Sequence, residues 1–493
     1  AIGGGRELGT VTSSGALRLP AEESIDLSDG TLTNNGTLTN AGSISGPGTL
    51  DGTGTIDNSG AITHTVTVGG DQAVTDHHYK LSFDAGDGSV DWAGATPWSI
   101  VDGPTLTSVG RTTADFPQAT RAGYTLTGWN TKADGGGTAI SDTATLSTDS
   151  SDGTAVPVTL FAQWRSTAPV TLYAYPHGGA SSPAACDKAA DLAGACTLGQ
   201  ALGLAASDDT VVLEADPGAG STARFTTTTG WEVPQRSLKV KPGNGVTATL
   251  DGQGQAAYLL HYTGSGTLTV SDLTITGTIG GLESAAPGGG IVSDSGGSIT
   301  VADGTFTDNT IGTVPHDTSS SSTTVGGGIV AMAPTGGGDA GSVTVTGSHF
   351  TDNTGSASQI AAWGGGILSY GPVHVTDSTF TGNSVTADVS FSVGGGIIAL
   401  DGATVSGSTF TDNTTAGAVD AVAFGGGIVT LGGGASGPAA VVSTSTFTGN
   451  TTVGPDNPAS GEQANGVTYG GGVVAAFGGG ETMQVTASTF AHN

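Results

Sequence analysis

The sequence predicts an all-β protein dominated by a right-handed parallel β-helix. Three features lead there: an excess of glycine, a six-residue rhythm near the N-terminus, and two longer motifs that alternate through the C-terminal half. Of 493 residues, 87 are Gly, roughly 18% against ~7% in an average chain. Glycine lacks a period of three, which excludes collagen. The 36% of hydrophobic residues recur in order, which argues against disorder. Lys and Arg number 12 against 42 Asp and Glu, a formal net charge of -30. Such a field disfavours nucleic acid and anionic membrane surfaces, and no apolar run reaches the ~18–20 residues of a membrane span. All 12 cations lie at or before Lys241, and the remainder to Asn493 holds 17 acids and no Lys or Arg. Cations, Ca2+ among them, are the natural small partners of that half, although no calcium motif occurs. No cofactor or metal site is indicated.

The first element, in residues 1–70, is a hexapeptide repeat. Leu32, Leu38, Ile44, Leu50, Ile56 and Ile62 stand six apart, and Gly30, Gly36, Gly42, Gly48, Gly54 and Gly60 keep the same beat. Six residues suit one short strand and one turn, with the aliphatic inward and Gly at the corner. A β-solenoid face is expected from residue 25 to 65, about two turns at three faces per coil. Thr37-Leu38-Thr39 resembles the Thr-x-Thr unit of ice-binding solenoids, but that unit is not expected to repeat coil after coil.

Residues 76–166 break the rhythm and recover aromatics. Alternating stretches at 79–84 and 160–164 flank Gly-rich turns, and Trp129 and Trp164 are expected to pack a small core. The strings GYTLTGWNT (123–131) and VTLFAQW (158–164) resemble the internalin B-type, or Listeria–Bacteroides, β-grasp repeat of bacterial surface proteins. That resemblance implies a spacer or receptor-contact module on an exported protein, without catalysis. The stretch around 87–104 is longer than the family's pattern.

Residues 171–493 form the largest element. Cys186 and Cys196, ten residues apart in a chain of exported character, point to a disulfide rather than a metal site. Thr197 offers an N-cap to a short helix over 197–206, with Leu198, Ala201, Leu202 and Ala205 at helical intervals. Such a helix would cover the open end of a solenoid. Beyond it, Gly-Gly-Gly-Ile/Val begins at Gly288, Gly326, Gly364, Gly394, Gly425 and Gly470. The motif Phe-x-x-Asn joins Phe306 to Asn309, Phe350 to Asn353, Phe380 to Asn383, Phe410 to Asn413, Phe447 to Asn450 and Phe490 to Asn493. Each triplet precedes its Phe by 16 to 24 residues, and the period runs from 30 to 45. This spacing fits coils of fixed core joined by variable loops between Asn and the next triplet, as at 311–325 and 451–469. Phe is expected to stack inside, Asn to form a buried ladder at a turn, and Gly to allow a tight corner. Some eight to ten coils are expected.

These motifs resemble the GGA(I/L/V) and FxxN repeats of chlamydial polymorphic outer-membrane protein passengers. Residues 270–277 are similar to a coil string of the wider pectin-lyase-like superfamily. The resemblance covers about half of the chain and implies the β-helix and surface display. The third motif position is Gly rather than Ala, and no translocator barrel is visible. A chain that stops at the last residue of a Phe-x-x-Asn unit reads as a fragment of something longer.

Lyases of this superfamily rely on an Arg or Lys base, usually with Ca2+, and no such base exists after Lys241. Hydrolysis by two carboxylates needs only Asp or Glu about 5–10 Å apart. Asp308, Asp352 and Asp412 are the candidates, each two after its Phe, with Gly382 and Gly449 at the same place in other coils. The alternation keeps like charges from stacking at ~4.8 Å. Trp363, Tyr370, Phe424 and Tyr469 are the candidate sugar-binding aromatics. Three of them immediately precede a Gly triplet, where stacking within a ladder is the alternative to an outward stripe. His316, His349 and His374 share no spacing and read as solvated surface. The expected function is a bacterial cell-surface or secreted adhesin that binds a host or environmental glycan or protein through the β-helix flank and variable loops. The rival is a β-helix glycoside hydrolase. Inward carboxylates in a groove with aromatics would favour hydrolysis; a smooth flank of Ser and Thr would favour adhesion.

Overall fold

The computed structural model describes residues 11–493 except 28–29, 46, 59–60, 63–66, 69–72, 77, 92–98, 102–112, 134, 142–155, 180–185, 236, 281–287, 312–322, 335–336, 358–360, 388–390, 418–421, 433–437, 455–466 and 476–481. Two compact units divide the chain, Ala1–Ala168 and Pro169–Asn493.

In the first unit, three parallel sheets wind through residues 11–76. Leu32 lies opposite Leu50, Leu38 opposite Ile56 and Ile25 opposite Ile44. Three hexapeptides therefore make one coil, and the aliphatics close a continuous core. The solenoid extends past the expected 25–65 at both ends. Val11–Ser13 and Ala16–Leu19 pair with the strands of the next coil, and Ala73–Asp76 pairs with Thr55–Asn58. Strand pairing continues there after the Gly beat is lost, so more than the expected two turns form. Asn at the corners is buried as well, with Asn40 Nδ2 donating to Asn58 Oδ1 at 2.6 Å.

Residues 78–166 form a mixed sheet in the order Ser99–Val101, His78–Asp84, Val156–Ser166, Tyr124–Asn130. The two central strands are parallel and the outer pairings antiparallel. Its core is Phe116, Trp129 and Leu160, with Phe83 meeting the Phe116 and Trp129 rings edge-on at 5.0 and 4.8 Å. Trp164 does not join this cluster. It is half-buried, and its Nε1 donates to the Ala85 carbonyl at 2.9 Å. The indole needs a polar partner, and it finds one in the turn after His78–Asp84.

The second unit is a parallel β-helix. Sheets of ten, nine and eight strands run from Thr171–Ala174, Thr222–Thr226 and Trp231–Val233 to Met483–Thr486, Thr489–Ala491 and Val473–Ala475. All their pairings are parallel, so each level repeats the last and identical side chains meet. Phe306, Phe350, Phe380, Phe410, Phe447 and Phe490 stack at 4.6–4.7 Å with rings 2–4° from parallel. Burying each such ring contributes ~1.5–3 kcal/mol.

The Asn amides form an unbroken chain through Asn309, Asn353, Asn383, Asn413, Asn450 and Asn493, each Nδ2 donating to the next Oδ1 at 2.8–2.9 Å. Asn450 is fully enclosed and donates also to the Phe410 carbonyl at 2.9 Å. At the first level Thr278 takes the place of Asn and donates to Asn309 Oδ1 at 3.3 Å. A second buried chain runs through Ser348, Ser378, Ser408 and Ser445, each backbone N–H donating to the next Ser Oγ.

The Gly triplets stack in register. Gly326, Gly364, Gly394 and Gly425 each donate their N–H, at 2.9–3.0 Å, to the carbonyl just before the next triplet. The third residue of the triplet explains the departure from Ala. A Cβ on Gly366 would lie 2.5 Å from the Gly396 carbonyl and 3.0 Å from the Phe380 ring. The Phe of the same coil occupies the room that Ala would need.

Helix Leu198–Leu204 caps the N-terminal end. Thr197 and Gln200 form a reciprocal capping box, and Leu198, Ala201 and Leu202 enter the core of the coils. Gln235 Nε2 donates to carbonyls at the helix's end, Leu202 at 2.6 Å and Ala205 at 3.1 Å. The Cys186–Cys196 disulfide lies just before the helix.

The segments between Asn and the next Gly triplet are not simple variable loops. After Asn the chain enters a fourth sheet of five strands, Thr310–Ile311, Thr354–Ala357, Ser384–Ala387, Thr414–Gly417 and Thr451–Val453. It returns through a fifth, Thr323–Val325, Ala361–Trp363, Phe391–Val393, Val422–Phe424 and Val467–Tyr469. Ala357, Ala362, Val385 and Ala387 pack between the two. Between the two sheets the chain differs in length from coil to coil at 312–322, 358–360, 388–390, 418–421 and 455–466, which lie outside the described residues.

Candidate functional site

Asp308, Asp352 and Asp412 occupy the turn position just before the ladder Asn. All three are exposed, with φ of 53–54°. The alternation with Gly has a steric cause besides the electrostatic one. A Cβ on Gly382 would collide with Asp352 Oδ1, and one on Gly449 with Asp412 Oδ1. The Asp352 and Asp412 carboxylates fold over a next level that is Gly, whereas Asp308 stands one level before Asp352. The other corner shows the same contact, with Asp303 over Gly347 and Asp377 over Gly407.

The aromatic candidates form the expected ladder. Trp363 pairs with Val393, Val393 with Phe424, and Phe424 with Tyr469, whose rings stack at 4.9 Å. Rather than an outward stripe, they help build a second apolar core. Val330, Leu368, Ile398 and Val429 on the back of the third sheet are covered there by buried Phe424 and half-buried Trp363 and Tyr370. Only Tyr469 presents much of its ring to solvent, at 49% exposure. Covering the back of the third sheet satisfies an apolar column that would otherwise face water.

The second sheet presents a different face. Thr-Phe-Thr recurs at 305–307, 379–381, 409–411 and 446–448, with His349 and Ala491 as the departures in neighbouring coils. Phe points inward, so the flanking Thr form two straight outward columns. One runs through Thr274, Thr305, His349, Thr379, Thr409, Thr446 and Thr489; the other through Thr276, Thr307, Thr351, Thr381, Thr411 and Thr448. Contrary to expectation, Thr-x-Thr does repeat coil after coil, with Phe as its middle residue. His349 stands within the first column, its Nδ1 2.7 Å from Thr379 Oγ1; His374 is exposed on the first sheet. His316 lies outside the described residues.

A further cluster joins residues that no spacing rule connects. His261 Nδ1 lies 2.9 Å from Glu232 Oε2, and its Nε2 lies 3.1 Å from Asp294 Oδ2. The Tyr258 hydroxyl donates to Glu232 Oε1 at 2.5 Å. Burial, with the Glu232 hydrogen bond added, pushes the Tyr258 phenol up to about 12. The imidazole sits between its two carboxylates, so both ring nitrogens are engaged. Among the described residues no group of three or more His, Cys, Asp or Glu is arranged to hold a metal ion. No described helix is long and apolar enough to cross a membrane.

At the N-terminal end of the first sheet a cavity of about 280 Å3 opens between the first strands and the cystine loop. Lys188 bridges its wall to Glu214 at 2.7 Å and lies 5.6 Å from the Tyr173 ring centroid. The hydrogen bond to Glu214 raises the Lys188 ammonium above its usual range.

With this geometry in view, the chain is a two-unit, nearly all-β protein whose second unit is a parallel β-helix. No protein-family model and no curated protein matches it. Among solved structures it is similar to one titled "Crystal structure of pectate lyase Pel9A", at 14% identity and a TM-score of 0.30, covering 63% of this chain and 78% of that one.

Proposed function

We propose that this is a secreted or cell-surface bacterial adhesin that binds a host or environmental glycan or protein along the second sheet of its β-helix. The observation that carries the reading is the pair of Thr columns. A flat, regular hydroxyl surface repeats at each level at ~4.8 Å, on strands whose inward side chains are locked by the Phe stack. It offers many equivalent weak contacts, the basis of multivalent attachment. The disulfide fits an oxidising, extracellular setting. The mixed sheet of residues 78–166 would serve as the spacer that its internalin-type resemblance implies.

A glycan-array screen combined with a turnover assay tests this. Wild type is expected to bind without releasing sugar, and the triple variant Thr379→Lys, Thr381→Lys, Thr411→Lys to lose binding with unchanged circular dichroism. Release of sugar by wild type, abolished in Glu232→Gln, would overturn the adhesive reading in favour of hydrolysis.

A further inference from the structure

In the sequence of the β-helix unit the cations are Lys188, Arg224, Arg236, Lys239 and Lys241, with none beyond. Their commitments differ. Arg224 is engaged by Asp251 through Nε at 3.0 Å, and Lys188 by Glu214. Lys239 and Lys241 are exposed and have no carboxylate partner among the described residues. Lys241 lies at the rim of the 280 Å3 cavity, together with Asn244 and Thr210. Register sets the floor, because Tyr173 pairs with Val212 and Val212 with Lys241 on adjacent strands.

The opposite wall is built from the cystine loop and held in several ways. The Tyr173 N–H donates to the Cys186 carbonyl at 2.7 Å, the Tyr175 N–H to the Cys196 carbonyl at 2.9 Å, and the Ala189 N–H to the Tyr175 hydroxyl at 2.9 Å. Lys188, two residues after Cys186, is thereby set beside the Tyr173 ring. Glu214 is nearly buried, with 12% of its side chain exposed. The cavity thus combines an aromatic ring, an uncommitted ammonium, an amide, hydroxyls and a buried carboxylate within one small volume. Mixed donors and acceptors around a ring suit a polyhydroxylated ligand with one apolar face. The free ammonium selects one that also carries negative charge. Beyond Lys241 the unit carries acids and no Lys or Arg, so those levels repel such a ligand and steer it to this end.

We propose that this cavity binds an acidic saccharide, its carboxylate or sulfate paired with Lys241 and its sugar ring laid on Tyr173. The site is separate from the Thr columns, which lie on another sheet. Calorimetry on the full chain with length-matched uronate-bearing, sulfated and neutral oligosaccharides tests it. The acidic ligands are expected to bind at least about tenfold more tightly than the neutral one, and more weakly as salt rises. Comparison of the two acidic arms identifies the anion. Lys241→Glu, an exposed change, is expected to lose at least about tenfold of that affinity with an unchanged melting temperature, and Tyr173→Ala to weaken both acidic arms. Equal binding of the neutral ligand, full affinity in Lys241→Glu, or no binding in any arm would each overturn the site. Loss confined to the Thr379/Thr381/Thr411 triple variant would instead locate acidic binding on the flank, which also overturns it.

Discussion

Asp352 and Gly382 show how tightly one residue constrains the next level. Gly382 has φ +66° and sits under the Asp352 carboxylate, so Gly382→Ala meets both a conformational and a steric penalty. The expected loss is ~2–3 kcal/mol in denaturant unfolding. In an Asp352→Gly background only the left-handed backbone cost of ~1–2 kcal/mol should remain. A double-mutant cycle that returns no coupling would remove the steric interpretation. Tyr258 gives a pH signature of its own. Its phenol is raised from 10.0 to about 12, so folding favours the protonated form. The associated stability is fully present below pH 10 and is lost as pH rises from about 10 to about 12. Phenolate absorbance in alkaline titration should contain a late component that Tyr258→Phe removes. Buried Tyr262 also titrates late, so the variant should reduce that component rather than abolish it.

Among elements, the Asn chain couples levels most directly. Asn383 donates to the Phe350 carbonyl and to Asn413, and accepts from the Asn353 backbone and side chain. Asn383→Ala removes four buried hydrogen bonds, although Asn413 Oδ1 keeps the Asn383 backbone N–H and Asn353 Nδ2 keeps the Phe306 carbonyl. The expected cost is ~2–3 kcal/mol in chemical denaturation, whereas Thr404→Ala on the exposed first-sheet face should change stability by less than ~0.5 kcal/mol. Equal effects would show that the amide chain is dispensable. The three main sheets were legible from Gly288 onward because Phe, Asn and Gly mark the same three places in each of six coils, whereas the earlier coils carry no such marks. The Ser chain was equally regular, two residues before each Phe from Ser348 to Ser488, but Ser carries no hydrophobic period to announce it. The fourth and fifth sheets left weaker marks. Strings such as Thr-Gly-Ser-Ala at 354–357 and Ala-Ala-Trp at 361–363 have little strand propensity of their own. Pairing with equivalent strands above and below holds them extended.

Over the whole molecule, what the sequence revealed about sites was uneven for a physical reason. The disulfide and the cap helix are local, and their signals lie within a few residues. The Glu232, His261 and Asp294 side chains come from three successive levels of unequal length, so only closure of the coils brings them together. The same holds for Tyr173, Lys188 and Lys241. Charge behaves differently, since its partition at Lys241 is a property of the linear chain that the fold converts into a spatial one. The first levels of the β-helix hold its cations and the later levels hold acids alone.

Three consecutive Phe, at 350, 380 and 410, stand 30 residues apart, while the flanking intervals are longer, and these levels close on the same Phe, Asn and Gly partners. Removing residues 364–393 would place Trp363 directly before Gly394, where Val393 stands now, and would bring Phe350 under Phe410, but it would also remove Gly382 and set the Asp352 carboxylate against Asp412. The number of coils sets the length of the Thr face, which grows by ~4.8 Å for each level added.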